Sequence, residues 1–333
     1  MGNKIGYFVI SLDFELLYGM NDRTNLALWI KNTTGARMAI SKMLQLFETY
    51  GIQATWAVVG MLYAENKEQW LDAMPSILPH YTQKNFSNYE QIDLIGEDEL
   101  TDPLHYAPTL IKKIEETEGQ ELASHTFSHY YCMGQGQKEE AFEEDMKAAL
   151  RMAKSHGTTV KSFVFPKNQF NDAYLRILDK YGITAVRGNE ESWMYRATGT
   201  GENIAKRAIR LLDSYINISG NHCHQLEDLK VMNGVVNIPS SRFLRPFHRK
   251  LALVENIKVA RIKRQMRYAA KYGKIFHLWW HPHNFGDNQT ENMDNLKKIL
   301  DYYKLLQKKY KYKSVTMGEV AKIRLSLRQE GID

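Results

Sequence analysis

Two carboxylates and two imidazoles, in two short segments far apart in the chain, offer the most direct chemistry in this sequence. In Ser11-Leu12-Asp13-Phe14-Glu15 the acids stand two residues apart at the end of an apolar run, a spacing that puts them on one face of a strand. One of them can bind a metal while the other takes a proton from water; a pair of solvated strand-end acids is the plain alternative. In Ser124-His125-Thr126-Phe127-Ser128-His129 the imidazoles stand four residues apart, which on a helical turn brings two ligands to one zinc-like ion. Isolated pairs of this kind also arise by chance, and the position directly after Glu121-Leu122-Ala123 favours the metal reading. The segment Trp279-Trp280-His281-Pro282-His283-Asn284 is rich in histidine, and a histidine there can act as an acid toward a leaving amine or be a hydrogen-bonded structural residue. In Phe163-Val164-Phe165-Pro166-Lys167-Asn168-Gln169 a strand stops at proline, and a backbone N–H of the turn can hold an oxyanion unless this is an ordinary surface turn.

Strand-like and helix-like segments alternate from the start, which predicts a parallel α/β architecture. The first strand ends at Asp13. Ile40, Leu44 and Phe47 recur at helical spacing behind Asn32-Thr33-Thr34, so a helix is expected over about 34–50, stopped at Tyr50-Gly51. Gln53 to Gly60 reads as the next strand. Further strands are expected at 121–123, 162–165, 184–186, 235–238, 275–280 and about 314–317, a number that suits a barrel. In such a barrel polar residues directly after a strand face the reaction. No linker, repeat or low-complexity tract divides the chain, so 1–333 reads as a single domain with excursions at about 62–118 and 190–234 that are candidates to cover the site.

The 333 residues, 44% hydrophobic and 25% charged, are enough to bury a full core and argue against disorder. No apolar run reaches the length of a membrane span, and Gly6 to Leu12 leads into acids where an export signal would have a cleavage site. The start Met1-Gly2 lacks the Ser or Thr that N-myristoylation wants at the sixth residue, which is Gly6. Two cysteines, Cys132 and Cys223, predict reduced thiols and a cytoplasmic protein. A formal charge of +6 without a reading helix or stacking motif does not indicate nucleic acid.

Taken together, and in this order, these segments resemble the polysaccharide deacetylase family from about Gly6 to about Val320. The resemblance implies a distorted (β/α) barrel and a hydrolase acting on non-peptide carbon–nitrogen bonds. Asp13 falls at the family's catalytic base, 121–129 at its metal-binding histidine motif with His125 and His129 as ligands, and His281 at its catalytic histidine. Thr55-Trp56-Ala57-Val58-Val59-Gly60 and Thr316-Met317-Gly318-Glu319 resemble its second strand and closing segment. The family has two adjacent aspartates, whereas Phe14 follows Asp13 here; alternation along the strand makes Glu15 the expected carboxylate ligand, with an exchange of roles between Asp13 and Glu15 open. The arginine expected two residues before Pro166 is replaced by Val164, and Arg187, Arg242 and Lys167 are the candidates to take its place. The implied cofactor is a divalent metal, zinc first. The implied mechanism joins a polarised amide carbonyl, Asp13 as base, His281 as acid and a backbone N–H near Lys167 on the oxyanion.

A cytoplasmic member would meet an acylated sugar as a nucleotide- or lipid-linked glycan precursor. Arg242, Arg245, His248 and Arg249 lie close together after a strand and can bind phosphate, or form a solvated basic loop. Residues 258–268 read as a basic helix, either a peripheral membrane contact or the wet face of an outer helix. His222-Cys223-His224 reads as a loop feature. Competing readings are a deformylase or ring amidase on the same fold, and a catalytically inactive carbohydrate-binding protein. The oligomeric state is left open.

Overall fold

In β1 (Gly6–Phe14) all nine residues are buried, because the strand has a layer on both sides. Tyr7 and Val9 face one apolar cluster, the barrel interior, while Phe8, Ile10, Leu12 and Phe14 face the helices. The computed structural model describes residues 4–20, 26–197 and 204–331. Around β1 runs one sheet that includes β2 (Ala54–Val58), β3 (Gln120–Ser124), β4 (Ser162–Val164), β5 (Ala185–Arg187), the hairpin pair β6 (Val231–Met232) and β7 (Val235–Asn237), β8 (Arg242–Phe243), β9 (Ile275–Trp280) and β10 (Tyr312–Val315). All described pairings are parallel except β6 with β7.

Two irregularities distort the barrel. One edge of β1 is shared, with β10 paired at Gly6 to Val9 and β2 at Ser11 to Phe14. On the far side a single bent segment serves two strands: the Ile238 and Ser240 amides donate to Val186 and Gly188 of the β5 side, and the Ser241 and Leu244 amides to His277 and Trp279 of β9. That bend brings the two ends of the sheet together.

The flanking helices are α1 (Leu26–Tyr50), α2 (Lys67–Asp72), α3 (Pro108–Glu116), α4 (Glu139–Ser155), α5 (Leu175–Lys180), α6 (Ile204–Asp213), α7 (Glu255–Tyr272), α8 (Gln289–Lys309) and α9 (Met317–Gln329). Helix α1 starts before the expected Thr34, so Asn32, Thr33 and Thr34 lie inside it; Thr33 is buried. The last strand ends at Val315, earlier than expected, because Thr316 caps α9 in a reciprocal capping box with Glu319. Met317, Val320 and Ala321 of α9 plug the barrel interior. Glu121 secures that plug: it accepts from Thr55 Oγ1 at 2.7 Å and the Gly318 amide at 3.1 Å, while Thr55 Oγ1 accepts from the Met317 amide at 2.9 Å. The Thr55 and Thr316 segments therefore build the end of the barrel opposite the candidate site.

The first excursion is pinned at Tyr18, whose hydroxyl donates to His105 O at 3.0 Å and accepts from Trp70 Nε1 at 3.2 Å. The described part of the second is pinned by the buried pair Arg242–Asp213, at 2.5 Å. The basic run 258–268 lies on α7, where Lys258 and Arg261 point inward: Lys258 pairs with Glu255 at 2.5 Å and Arg261 donates to Asn217 Oδ1 at 2.6 Å. The run is thus not a uniformly exposed basic stripe. No described helix is long and apolar enough to cross a membrane. Cys132 and Cys223 are buried and free.

Candidate active site

The Glu15 carboxylate, just past the end of β1, is where the separated segments meet. Its Oε2 lies 3.4 Å from His125 Nε2 and 3.0 Å from His129 Nε2, and its Oε1 lies 3.6 Å from His281 Nε2 and 3.9 Å from His283 Nδ1. The His125–His129 loop is not the helical turn expected from its spacing. It is irregular, with Thr126 and His129 at φ of 65° and 57°, and outside contacts hold that backbone in place. Asp145 of α4 accepts from the Phe127 amide at 2.6 Å and the Ser128 amide at 3.2 Å, and Asn88 donates to Ser128 O at 2.9 Å.

His125 Nδ1 lies 2.8 Å from Val164 O, to which it donates, and this bond turns Nε2 toward Glu15. The Nε2 atoms of both histidines are buried without a hydrogen-bond partner. Burial pushes His129 down to about 4, so it is neutral at physiological pH. Burial also acts to raise the Glu15 pKa, but the imidazoles of His281, His129 and His125 around it hold it well below the usual carboxylate range. Two imidazoles and one carboxylate, with ligand atoms within 4.8 Å of one another, form a donor set that fits a divalent metal taking nitrogen and oxygen ligands.

The turn after β1 leaves no room above Glu15. A Cβ at Gly19 would fall 2.1 Å from the Glu15 carboxylate. Gly19→Ala is therefore expected to displace that carboxylate and to lower metal retention about 10-fold or more, measured as zinc kept after desalting, with the circular dichroism spectrum unchanged.

Asp13 is held differently. Arg187, at the end of β5, donates through both terminal nitrogens to its two oxygens at 2.6 and 2.8 Å. The same guanidinium donates to Ser11 Oγ at 3.0 Å and Asn168 Oδ1 at 2.9 Å and lies 4.3 Å over the Trp279 ring. Burial acts to raise the Asp13 pKa, and the charges of Arg187, His125 and His281 outweigh it, so the group stays ionised. Of the three cations weighed as the missing motif arginine, Arg187 is the one on Asp13. Lys167 sits at the rim, where its Nζ donates to Gly19 O at 2.9 Å and lies 5.8 Å from the Tyr131 ring centre, and its backbone is left-handed at φ 55°. Arg242 does not join the group; its bonds go to Asp213, Tyr195 and Gln265.

His281 Nε2 stands 3.6 Å from Asp13 Oδ2, and its side chain keeps 23% exposure, so it is the imidazole of the group open to a ligand. Burial lowers its pKa, opposed by the charges of Glu15 and Asp13. Trp279 and Phe243 flank it with ring centres at 5.6 and 6.0 Å. The turn that carries His281 touches α1 backbone to backbone: a Cβ at Gly286 would fall 1.8 Å from Asn32 O.

Sequence reasoning missed His283, which packs 4.9 Å from His281 and edge-on to Trp29. Burial pushes it down to about 3. Its only signal was its place two residues after His281. It also missed His277, whose Nε2 is 2.8 Å from Ser11 Oγ beneath Asp13, and Asn168, the partner of Arg187. The segment His222-Cys223-His224 forms no second metal cluster among the described residues; the His224 carbonyl accepts from the Ile275 amide.

Residues 33–186 match the family described as Polysaccharide deacetylase. No curated protein matches the sequence. Among solved structures, one from Mycobacterium smegmatis that bears the polysaccharide deacetylase name is 12% identical, with a TM-score of 0.61 over 100% of this chain and 93% of that one. A second of that name from Pseudomonas aeruginosa is 12% identical, with a TM-score of 0.57 over 98% and 92%. The Puue allantoinase is also 12% identical, with a TM-score of 0.58 over 96% and 90%. At this identity the three establish the fold. The match to the polysaccharide deacetylase family covers just under half of the chain, and the fold brings Asp13, Glu15, Arg187 and His281 from outside the matched segment to its two histidines.

Proposed function

We propose that this chain is a zinc-dependent hydrolase that removes an N-acetyl group from a sugar. The observation that carries the reading is the division of labour at the end of β1: Glu15 faces the two imidazoles of His125 and His129, and Asp13 beside it is held ionised by Arg187. Glu15, His125 and His129 would hold the metal, which when bound supplies a Lewis acid for the amide carbonyl and lowers the pKa of water. Asp13, both of whose oxygens are fixed by Arg187, would take a proton from the attacking water. His281, across from Asp13 and partly exposed, gives a proton to the departing amine. The Lys167 turn lies at the rim, where a backbone N–H would stabilise the oxyanion. The free, buried cysteines support a reducing compartment, and with it a glycan precursor as substrate.

The test is acetate release from N-acetylated sugars by zinc-reconstituted protein, with matching appearance of free amine. Acetate and amine in equal amounts support the reading, and no release from any acetylated sugar would sink it. A second reading, hydrolysis of a ring amide, is favoured by the similarity to the allantoinase fold and by the Asp13, Glu15 spacing that departs from adjacent aspartates. It predicts a product heavier than its substrate by one water, with no acid released.

A further inference from the structure

We infer that Arg245 reads an oxyanion, a phosphate ester or a carboxylate, on the substrate beside the acetylated amine. Of the basic residues close together after β8, three are already engaged. Arg242 is buried against Asp213, Arg249 Nε donates to Asn288 Oδ1 at 3.1 Å, and His248 caps the Lys250 amide. The Arg245 side chain is half-buried, and among the described residues its guanidinium has no hydrogen bond and no carboxylate at ion-pairing distance. Its charged neighbours include Arg210, Arg242, which is paired with Asp213, and Lys258, which is paired with Glu255. Its nitrogens are not sealed from water, and an anionic ligand gives the guanidinium the charged partner that it lacks among the described residues.

Position links this group to the candidate active site. The Arg245 guanidinium lies 5.8 Å from the Phe243 ring, and Phe243 packs 4.6 Å from Trp279 and 6.0 Å from His281. Phe243 thus neighbours both Arg245 and the proposed acid. The backbone that carries it is pre-set from within: buried Lys258 donates to Arg245 O at 2.7 Å and Pro246 O at 3.3 Å, and the Phe247 amide donates to Asn292 Oδ1 at 2.7 Å. Such fixing lowers the ordering cost when an anion binds.

The inference rests on the hydrolase reading for the nature of the sugar and not for the charge. The experiment compares N-acetylglucosamine, its 1-phosphate and an N-acetylhexosaminuronic acid, by calorimetric binding and by acetate release, for wild type, Arg245→Met and Arg245→Lys, all zinc-reconstituted. At least one anionic probe is expected to bind wild type about 10- to 100-fold tighter than the neutral sugar. Arg245→Met should lose that preference, Arg245→Lys should recover part of it, and rising salt should weaken it. Which anion is preferred identifies the oxyanion. Equal binding of charged and neutral probes by wild type, or an intact preference in Arg245→Met, would overturn the inference. Selective binding without acetate release would instead sink the hydrolase reading and leave the anion site standing. The Met variant keeps the packing on Phe243, and its melting temperature checks that it folds.

Discussion

Zinc-reconstituted protein is expected to keep close to stoichiometric metal after desalting, and the His125→Ala, His129→Ala double variant to keep almost none. The expectation follows from two buried imidazole nitrogens that lack hydrogen-bond partners and face one carboxylate. Neutral imidazole and carboxylate are zinc ligands, and His129 is neutral because burial lowers its pKa. Binding to the folded state alone should stabilise it by about 3 kcal/mol at a hundredfold excess over Kd, visible as a higher melting temperature for wild type than for the variant. Acetate release should vanish with the metal and return on adding zinc to the wild type only. Equal metal in both proteins would show that Glu15, His125 and His129 are not the site. Glu15→Gln refines the result: it keeps the size of the group but removes the charge, and should weaken retention without abolishing the fold.

The second large effect is expected from Arg187→Met. Asp13 and Arg187 are both buried, and removing one partner strands the other. Breaking a buried pair of this kind costs about 3–5 kcal/mol of stability, which denaturant unfolding measures. The folded-state pKa of Asp13 lies below its unfolded value. Its contribution to stability is therefore present above about pH 4 and lost as pH falls through the folded-state pKa. Without Arg187 the burial effect dominates and the Asp13 pKa rises, so the acid limb of the kcat/KM profile should move to higher pH. At neutral pH the rate should fall by ~10²-fold or more, because the base is then increasingly protonated. Arg187→Lys should recover part of the stability but little of the rate, since an ammonium cannot span both oxygens as a guanidinium does. An unmoved acid limb in a folded Arg187→Met protein would remove Asp13 from the role of base. Asp13→Asn separates the two functions: a rate lower by ~10²–10⁴-fold with metal retention unchanged is expected.

Strand chemistry was open to reading because it is local. The apolar run before Asp13 and the period-two alternation put Asp13 and Glu15 on the interior side and Phe14 in the helix-facing core, as β1 has them. Element boundaries were less legible. Helix α1 runs through Asn32-Thr33-Thr34, residues that commonly precede helices, because packing against the turn after β9 outweighs their local preference. The capping box at Thr316 was visible as a motif, yet its effect in ending the strand at Val315 depends on α9 entering the barrel.

The candidate site divides the same way. Residue types and spacing brought out Asp13, Glu15, His125, His129 and the histidine-rich segment at 281–283, since metal and proton chemistry draws on few side chains and strand ends mark their place, and the family resemblance singled out His281 within it. Spacing also suggested a helical turn at His125 to His129, where the backbone is irregular and held by Asp145 and Asn88 from elsewhere in the chain. The choice among Lys167, Arg187 and Arg242 lay beyond the sequence, because each follows a strand and each is cationic. Only the closure of the sheet decided it: the bend at 238–241 carries Arg242 to Asp213, while the end of β5 points Arg187 at Asp13, more than 170 residues away in the chain. Local pattern determines which groups are available; which of them meet is set by how strands pair across the barrel, a long-range property with no local signature.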